Sequence, residues 1–259
     1  MKVINPSTGE VLAEAAVSGA KEVELALKSA RAAFDSGPWG KISLQQRKDY
    51  LLKISQGLQD KAQVLAELET LNTGKPIKES IFMDIPSAAK TFEYFANHLE
   101  EYLAVEKISI PAGAASHLVR QPHGVVVLIV PWNYPLLIAS WKLAQALAAG
   151  NTVVLKPSSL TPLTALELGK IIQEAGVPAG VVNIINASGE AVGEQLCADK
   201  RVDMISFTGS SEVGKKILSY STKYVKKTIM ELGGKSAGIV LADADLEVAV
   251  NGSLCSIFL

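Results

Sequence analysis

From residue 124 onward the chain alternates apolar runs of strand length with segments of helical periodicity, and this alternation strongly constrains its fold. One helical pattern covers residues 162–175, where Gly176 and Pro178 mark its end. Strands that alternate with crossover helices are typical of a parallel sheet with helices on both faces. The expected strands are 125–130, 152–156, 181–185, 204–208 and 228–230.

We therefore predict an α/β fold with a Rossmann-like, doubly wound parallel sheet. The first hundred residues have two apolar stripes at helical spacing, around 23–34 and 51–65, so we expect N-terminal helices. Residues 108–123 are extended around Pro111-Ala112-Gly113 and predict a protruding hairpin. A further strand at 238–241 and a helix from Ala244 should begin a new unit.

Composition excludes several classes of function. The 259 residues are 48% hydrophobic, enough for one large domain or two. A net charge of -1 argues against a nucleic-acid partner. Two cysteines without a CxxC pair and three scattered histidines predict no metal site and fit the reducing cytoplasm. The apolar stretch 125–141 is interrupted by two prolines, so we expect no membrane span.

The turn after the first predicted strand lacks the GxGxxG pattern of an ordinary dinucleotide-binding fold. Pro131-Trp132-Asn133-Tyr134-Pro135 stands there instead, which disfavours a standard Rossmann dehydrogenase. A second unusual segment is Glu231-Leu232-Gly233-Gly234-Lys235, in which a carboxylate at a strand end precedes two glycines. Glycines at such a place let the backbone approach a flat ligand closely.

Five motifs together resemble the aldehyde dehydrogenase superfamily, over essentially the whole chain. They are Val-Pro-Trp-Asn at 130–133, Lys-Pro-Ser at 156–158, Gly-Val-Pro-Ala-Gly-Val-Val-Asn at 176–183, Phe-Thr-Gly-Ser at 207–210 and Glu-Leu-Gly-Gly-Lys at 231–235. The resemblance is closest to betaine-aldehyde and aminoaldehyde dehydrogenases. It implies NAD or NADP as cofactor, a small aldehyde as substrate, and oxidation to the carboxylate through a cysteine thiohemiacetal and thioester. It also implies a homo-oligomer for the full-length protein.

The resemblance divides the chain into three parts. Residues 1–107 and 124–236 match the NAD(P)-binding domain, 108–123 the oligomerisation hairpin, and 237–259 the start of the catalytic domain. The family's nucleophilic cysteine would follow Leu259, so we expect an N-terminal fragment that is inactive alone. Cys255 comes too early and lacks the Gly-Gln-x-Cys context, and we expect it to be a packed core thiol.

Two other functions stay open at this point. A non-catalytic nucleotide-binding or interaction fragment is at least as consistent with this chain as an active enzyme. An acyl-phosphate reductase of similar architecture is a more distant alternative.

Two residues match catalytic positions of the family. Asn133 follows a strand end, where its amide can donate to a developing oxyanion. From its local sequence alone, a cap on the helix after Pro135 is the more ordinary role. Glu231 matches the general base, which must be partly desolvated, although a buried structural carboxylate would give the same pattern.

The resemblance assigns the cofactor to turns at strand ends. Lys156 matches a residue that contacts the adenosine ribose, and Ser159 replaces a Glu that repels a 2′-phosphate, so NADP should be tolerated. Residues 207–210 open a helix whose N-terminus suits a pyrophosphate. Gly189 and Gly193 match the family's other phosphate-side turn, but Ala187 stands where a Gly is usual. The full candidate set is Pro131, Trp132, Lys156, Ser158, Ser159, Gly189, Gly193, Phe207, Thr208, Gly209, Ser210, Val213, Leu232 and Gly233.

Two aromatic residues indicate the substrate. Tyr134 and Trp141 are seven residues apart, which is two helical turns, and such a pair can flank a cation. Matching residues in betaine-aldehyde and aminoaldehyde dehydrogenases form an aromatic box around an ammonium group. A further Trp of that box aligns with Leu259, so the box is incomplete and generic aldehydes stay possible. An aromatic stripe packed into the core is the alternative.

Overall fold

A computed structural model of the chain describes residues 1–110 and 114–258. Its centre is a parallel sheet of five strands, which confirms the predicted fold class. The strands of this sheet are β5 (Val125–Ile129), β6 (Thr152–Lys156), β7 (Val182–Ile184), β8 (Met204–Gly209) and β9 (Lys227–Leu232). Their order across the sheet is β7-β6-β5-β8-β9, and in register Val127 of β5 lies between Val154 of β6 and Ile205 of β8.

Helices cover both faces of this sheet. They are α1 (Ala20–Asp35), α2 (Leu44–Asp60), α3 (Ala62–Thr73), α4 (Ile77–Glu79), α5 (Ile85–Asn97), α6 (Leu99–Leu103), α7 (Pro135–Ala148), α8 (Leu163–Glu174), α9 (Gly189–Ala198), α10 (Ser211–Ser221) and α11 (Leu246–Phe258). The π-helical turn Ser80–Asp84 lies between α4 and α5, and the short 3₁₀ turns Trp39–Lys41 and Thr222–Tyr224 lie elsewhere in the chain.

Each face of the sheet has its own hydrophobic core. On one face α2, α5, α7 and α8 enclose large side chains such as Trp39, Phe92 and Leu143. On the other, α1, α9 and α10 pack around residues such as Leu27 and Phe207. Every residue of β5 and β6 is buried, as expected of central parallel strands that are apolar on both sides.

The N-terminal region differs from its sequence prediction in two places. The first residues form an antiparallel pair, β1 (Lys2–Ile4) with β2 (Val11–Glu14), which the helical interpretation did not include. The helical stripe 51–65 is not continuous, because α2 ends before Lys61, which is the C-cap of α2 and the N-cap of α3. The apolar spacing continues across this break because α2 and α3 both bury their apolar residues in the same core.

The predicted hairpin is present as the antiparallel pair β3 (Glu106–Ser109) and β4 (Ala115–Leu118). Its apolar side chains are exposed, including Ile108 and Leu118. The turn predicted at 111–113 lies outside the described residues.

The C-terminal region also corrects the sequence interpretation. The strand predicted at 228–230 extends to Leu232, so Glu231 lies inside β9, paired with Thr208, and does not leave the sheet. The strand predicted at 238–241 is wrong, because this apolar run is exposed and has no strand pairing in the described structure. Asp245 caps α11, since its carboxylate accepts hydrogen bonds from the backbone of Glu247 and Val248.

Membrane-spanning character is not found in the residues that the structure describes, where every helix is too short or too polar to cross a bilayer.

Candidate functional site at the carboxyl edge of the sheet

The candidate residues gather at the edge of the sheet where its parallel strands end. Strands β6, β5, β8 and β9 are direct neighbours, so the residues that follow them share one edge. Asn133 comes after β5, Lys156 ends β6, Ser210 follows β8, and Glu231 lies near the end of β9. Ligands of open α/β sheets bind at this edge.

Asn133 is exposed, and it does not cap the following helix. Helix α7 begins at Pro135 with Tyr134 at the N-cap position, so the capping role that local sequence favoured is excluded. The backbone N–H of Leu136 instead donates to Glu69 Oε1 of α3 at 3.3 Å. Asn133 is therefore held by its neighbours while its own side chain faces solvent.

Glu69 is a site residue that the sequence interpretation missed. Its carboxylate accepts from Leu136 and also, at 2.5 Å, from the hydroxyl of Thr164. It is fully buried, and burial raises its pKa from 4.5 to about 7, against the lowering effect of these bonds. Its place on the buried face of α3, in line with Leu65 and Asn72, was the available signal.

Lys156 is buried and does not extend into solvent. Its ammonium donates to the carbonyl of Pro157 at 3.0 Å, and burial lowers its pKa. Ser158 Oγ accepts from the backbone of Leu160 at 3.2 Å, and Ser159 is half-buried beside it. The lysine thus underlies the loop that carries both serines.

Two glycines, one at the end of β8 and one in the first turn of α10, flank the junction between these elements. A Cβ at Gly209 would lie 2.5 Å from the ring of Phe207, and one at Gly214 would lie 2.6 Å from Leu232. Because glycine has no Cβ, the side chains of Phe207 and Leu232 can pack directly against the backbone at these two positions. Phe207 is buried and belongs to the core. Ser210 caps α10 by accepting from the backbone of Val213 at 3.3 Å. Residues 210–213 are all exposed here, and the backbone N–H groups of the helix N-terminus suit an anion, although the Glu212 carboxylate lies in the same turn.

The turn after β7 opens α9, which begins at Gly189. Ser188 caps this helix by accepting from the backbone of Ala191. Gly189 and Gly193 each face open space, since a Cβ there would meet no atom within 4 Å. Ala187 is fully buried in the second core, so a side chain at this position is used for packing.

Glu231 is exposed and lines a cavity of about 470 Å³ between α7 and the sheet. The same cavity is lined by Trp141, Lys142 and Ser206. Lys142 donates to Ser206 Oγ at 2.6 Å, and its pKa falls to about 8 because it is buried, although Glu231 acts in the opposite direction. Lys142 was not among the sequence candidates. The desolvation expected of Glu231 is not present in the described structure.

The structure gives the two candidate aromatic residues different surroundings. The ammonium of Lys75 lies 4.0 Å from the centre of the Tyr134 ring, and it also pairs with Asp84 at 2.5 Å. Trp141 is 46% exposed and lines the cavity beside Glu231. One face of Tyr134 therefore already contacts a cation from the chain itself. The position expected for the third box residue, Leu259, lies outside the described residues.

Neither cysteine is placed to act with these residues. Cys197 is buried in the second core, and burial raises the pKa of its thiol to about 12. Cys255 is exposed on α11, so the expectation of a packed thiol is wrong. The physical reason is that none of the described residues of α11 is buried by another element. Among the described residues no cluster of three or more His, Cys, Asp or Glu could hold a metal ion.

Comparison with known proteins decides the family. The family model "Aldehyde dehydrogenase family" matches residues 1–259. The chain belongs to the aldehyde dehydrogenase family. It is 46% identical to betaine aldehyde dehydrogenase of Bacillus subtilis, across 99% of this chain and 52% of that protein. It is 43% identical to 2-hydroxymuconic semialdehyde dehydrogenase of Pseudomonas sp. (strain CF600), across 98% of this chain and 53% of that protein.

Solved structures of aldehyde dehydrogenases have the same fold. The NAD⁺ complex of aldehyde dehydrogenase from Bacillus cereus superimposes with a TM-score of 0.95 at 37% identity. The match covers 99% of this chain and 52% of that one. The chain thus spans about half the length of the relatives that it matches.

Proposed function

We propose that this chain provides the nucleotide-binding half of an NAD(P)-dependent aldehyde dehydrogenase, which oxidises an aldehyde to the carboxylate. The observation that supports this most is the convergence of Asn133, Lys156, Ser210 and Glu231 at the ends of four neighbouring parallel strands. In this proposal, residues 1–107 and 124–236 form the nucleotide-binding domain. Residues 108–123 form an oligomerisation hairpin, and 237–259 begin the catalytic domain.

The cofactor site extends from the loop after β6 to the N-terminus of α10. Lys156 and Ser158 would hold the adenosine ribose, and the capped helix N-terminus at Ser210 would hold the pyrophosphate. Trp132, Leu232 and Gly233 would line the nicotinamide end. The nicotinamide accepts the hydride, while the protein orients it and the aldehyde.

Two side chains would act on the substrate. The Asn133 amide, exposed between two fixed neighbours, donates to the oxyanion that forms when a thiolate attacks the aldehyde. Glu231 then removes a proton from the water that hydrolyses the thioester. Lys142 lines the same cavity as Glu231, so a positive charge would lie near the bound substrate.

The attacking thiolate does not come from either cysteine of this chain. Cys197 is buried with a raised pKa, and Cys255 is on a helix outside the cavity that contains Glu231. This observation favours a second candidate function, a nucleotide-binding or interaction fragment without turnover. Aldehyde-dependent NAD(P)H formation separates the two functions. We expect none from this chain, and turnover that Cys255→Ser abolishes would make Cys255 the nucleophile.

For the substrate we propose an aldehyde with an amino or trimethylammonium group, as the name of the Bacillus subtilis relative suggests. Trp141 is exposed on the cavity wall and can contact such a cation. Tyr134 would contribute its free face, since Lys75 covers the other. In a longer form of the enzyme that contains the catalytic cysteine, turnover should favour betaine aldehyde over an uncharged aldehyde. Trp141→Leu should remove this preference. Equal turnover of both aldehydes would refute this substrate class and indicate an enzyme that acts on aldehydes in general.

Calorimetric titration of NAD and NADP tests the cofactor site. Lys156→Ala should weaken binding about tenfold or more, because a bond from a charged donor to the ribose is lost. Lys200→Ala is the matched control, an exposed lysine that precedes β8 at the opposite edge of the sheet. Equal affinity of the wild type and Lys156→Ala would place the ribose elsewhere.

The choice between NAD and NADP has its own test at position 159. Ser159→Glu should weaken NADP far more than NAD, because a carboxylate there repels the 2′-phosphate. Ser159→Gln has the same length without the charge and should leave the ratio of the two affinities near that of the wild type. A wild type that binds NAD but rejects NADP would refute the inference from Ser159.

A further inference from the structure

We propose that Glu69, Asn72 and Lys75 act as positioning residues that hold the loops after β5 and β6 in their working geometry. We call these three residues the α3 clamp. The role in positioning a ligand depends on the proposed function, whereas the hold on the loops does not. Glu69 and Asn72 are three residues apart on the buried face of α3, and Lys75 follows its end.

The α3 clamp holds the loop after β5 on the C-terminal side of Asn133. Glu69 Oε1 accepts from the backbone of Leu136, the second residue of α7, at 3.3 Å. Lys75 lies against the ring of Tyr134 at 4.0 Å and is fixed there by Asp84. The residues that follow Asn133 therefore have restricted positions.

The same clamp holds the loop after β6. Asn72 uses both ends of its amide, donating to the carbonyl of Leu160 at 3.1 Å and accepting from the backbone of Leu163 at 3.2 Å. The second oxygen of Glu69 accepts from Thr164 at 2.5 Å. One helix face thus joins the loop with Asn133 to the loop with Ser158 and Ser159.

A direct bond between the two loops completes this network. Thr161 Oγ donates to the carbonyl of Trp132 at 3.1 Å. Trp132 is thus held by Thr161 and Tyr134 by Lys75, while Asn133 between them is exposed. A donor that is fixed before its ligand arrives needs little reorganisation on binding, which is what oxyanion stabilisation requires.

Burial of the clamp indicates a role other than stability. Glu69 is fully buried, Asn72 is 2% exposed, and the side chain of Lys75 is 10% exposed. Its partner Asp84 is 1% exposed, with one carboxylate oxygen unpartnered among the described residues. Apolar side chains of similar volume usually stabilise such a place as well or better. Unlike apolar side chains, the carboxylate of Glu69 and the amide of Asn72 make directional hydrogen bonds to two loops.

Hydrogen exchange of the whole 259-residue chain tests the hold on the loops. Glu69→Ala should raise the exchange rates of the Leu136 and Leu163 amides, which donate to the clamp, at least tenfold, while amides of β5 stay protected. Glu69→Gln keeps an acceptor oxygen and should restore most of the protection. Glu67→Ala is the matched control, an exposed carboxylate on the same helix that should change neither loop. Unchanged loop exchange in a folded Glu69→Ala variant would overturn the proposal.

A second variant decides the question if Glu69→Ala does not fold. Asn72→Leu has a similar volume and removes the bonds to Leu160 and Leu163, so exchange of the Leu163 amide should rise severalfold. Unchanged exchange in that variant would count against the clamp. Nucleotide affinity then tests positioning: Glu69→Ala should bind NAD at least threefold more weakly, and Glu69→Gln should recover. A wild type that binds no nucleotide would refute the proposed function, while the exchange result would still decide the clamp.

Discussion

The two halves of the candidate site are held in different ways. The loops after β5 and β6 are bound by buried side chains of the α3 clamp. Across the edge, residues 231–243 are all exposed, and none of the described residues of α11 is buried. Glu231 and Leu232 are positioned by backbone pairing with Thr208 and Gly209.

This contrast separates preorganised from loosely supported parts of one site. The loops that carry Asn133 and Ser158 depend on tertiary contacts with α3, so a change at a distance from the sheet edge can move them. Glu231 depends on one sheet neighbour, and its side chain meets water. Substitutions should therefore have large effects in the first half and small effects in the second.

The largest effect should follow Lys75→Met, which leaves the carboxylate of Asp84 buried without its ion pair. Removal of one partner from a buried pair costs about 3–5 kcal/mol. Urea denaturation measures this loss in the free energy of unfolding. Lys78→Met replaces an exposed lysine three residues on and should change it by less than about 0.5 kcal/mol. Similar losses of unfolding free energy in the two variants would contradict the stronger support proposed for the loops after β5 and β6.

The next effect is a pH dependence that comes from Glu69. Its pKa is raised from 4.5 to about 7 chiefly by burial, with Lys75 lowering it and Asp84 raising it. A raised pKa means that the folded state binds the proton more tightly. Its contribution to stability, about 3 kcal/mol at most, is complete below pH 4.5 and is lost as the pH rises through 7.

Urea denaturation between pH 4.5 and 8 measures this dependence. Glu69→Gln should flatten the profile and be more stable than the wild type at pH 8. Glu67→Gln, at an exposed position on the same helix, should keep the wild-type slope. A wild-type profile that Glu69→Gln leaves unchanged would contradict the assignment of the titration to Glu69.

A smaller effect is expected in the second half of the site, at the start of α10. Ser210→Ala removes the bond from the backbone of Val213 and should cost about 1 kcal/mol. Ser211→Ala changes the first helical residue, which does not cap, and should be nearly neutral. Denaturation curves for the pair would sharpen the comparison. A loss near that of Lys75→Met would mean that this turn is as strongly supported as the other loops.

The smallest effect on stability should come from α11. Leu246 and Ile257 are 74% and 70% exposed, so Leu246→Glu with Ile257→Glu should change the free energy of unfolding by less than about 0.5 kcal/mol. Association should change instead, because exposed apolar patches of several hundred Å² promote it. Sedimentation velocity should show an associating wild type and a more monomeric double variant. A wild type that is monomeric at all concentrations would contradict this expectation.

The hairpin gives a related expectation for the full-length protein, where we propose that it drives homo-oligomers. Deletion of residues 110–118 there should yield monomers by sedimentation. Oligomers that survive the deletion would exclude the hairpin from the interface.

The fold could be predicted because its signal is local. Val125–Ile129 and Thr152–Lys156 are unbroken apolar runs, which only a sheet buried on both faces accommodates at that length. The family could also be recognised, since short motifs such as 130–133 and 231–235 depend on residue identity and not on contacts. Both predictions are confirmed.

The sequence predictions failed where the structure of a segment depends on which other elements pack against it. The run 238–241 has strand-like composition but no strand partner in the described structure, and Cys255 has an apolar context but no packing neighbour that buries it. The stripe 51–65 hid the break at Lys61, because both helices face the same core. Periodicity records which side is apolar and does not record where a helix ends.

By itself, the sequence determined the parallel sheet, the strand ends at which a ligand would bind, and the identities of Asn133, Lys156 and Glu231. Only the tertiary structure decided what surrounds them. It placed Glu69, more than sixty residues before Asn133 in the chain, under the N-terminus of α7, and Lys142 in the cavity beside Glu231. Strands and turns are specified by neighbours in the chain, whereas burial and the partners of a charge depend on long-range packing.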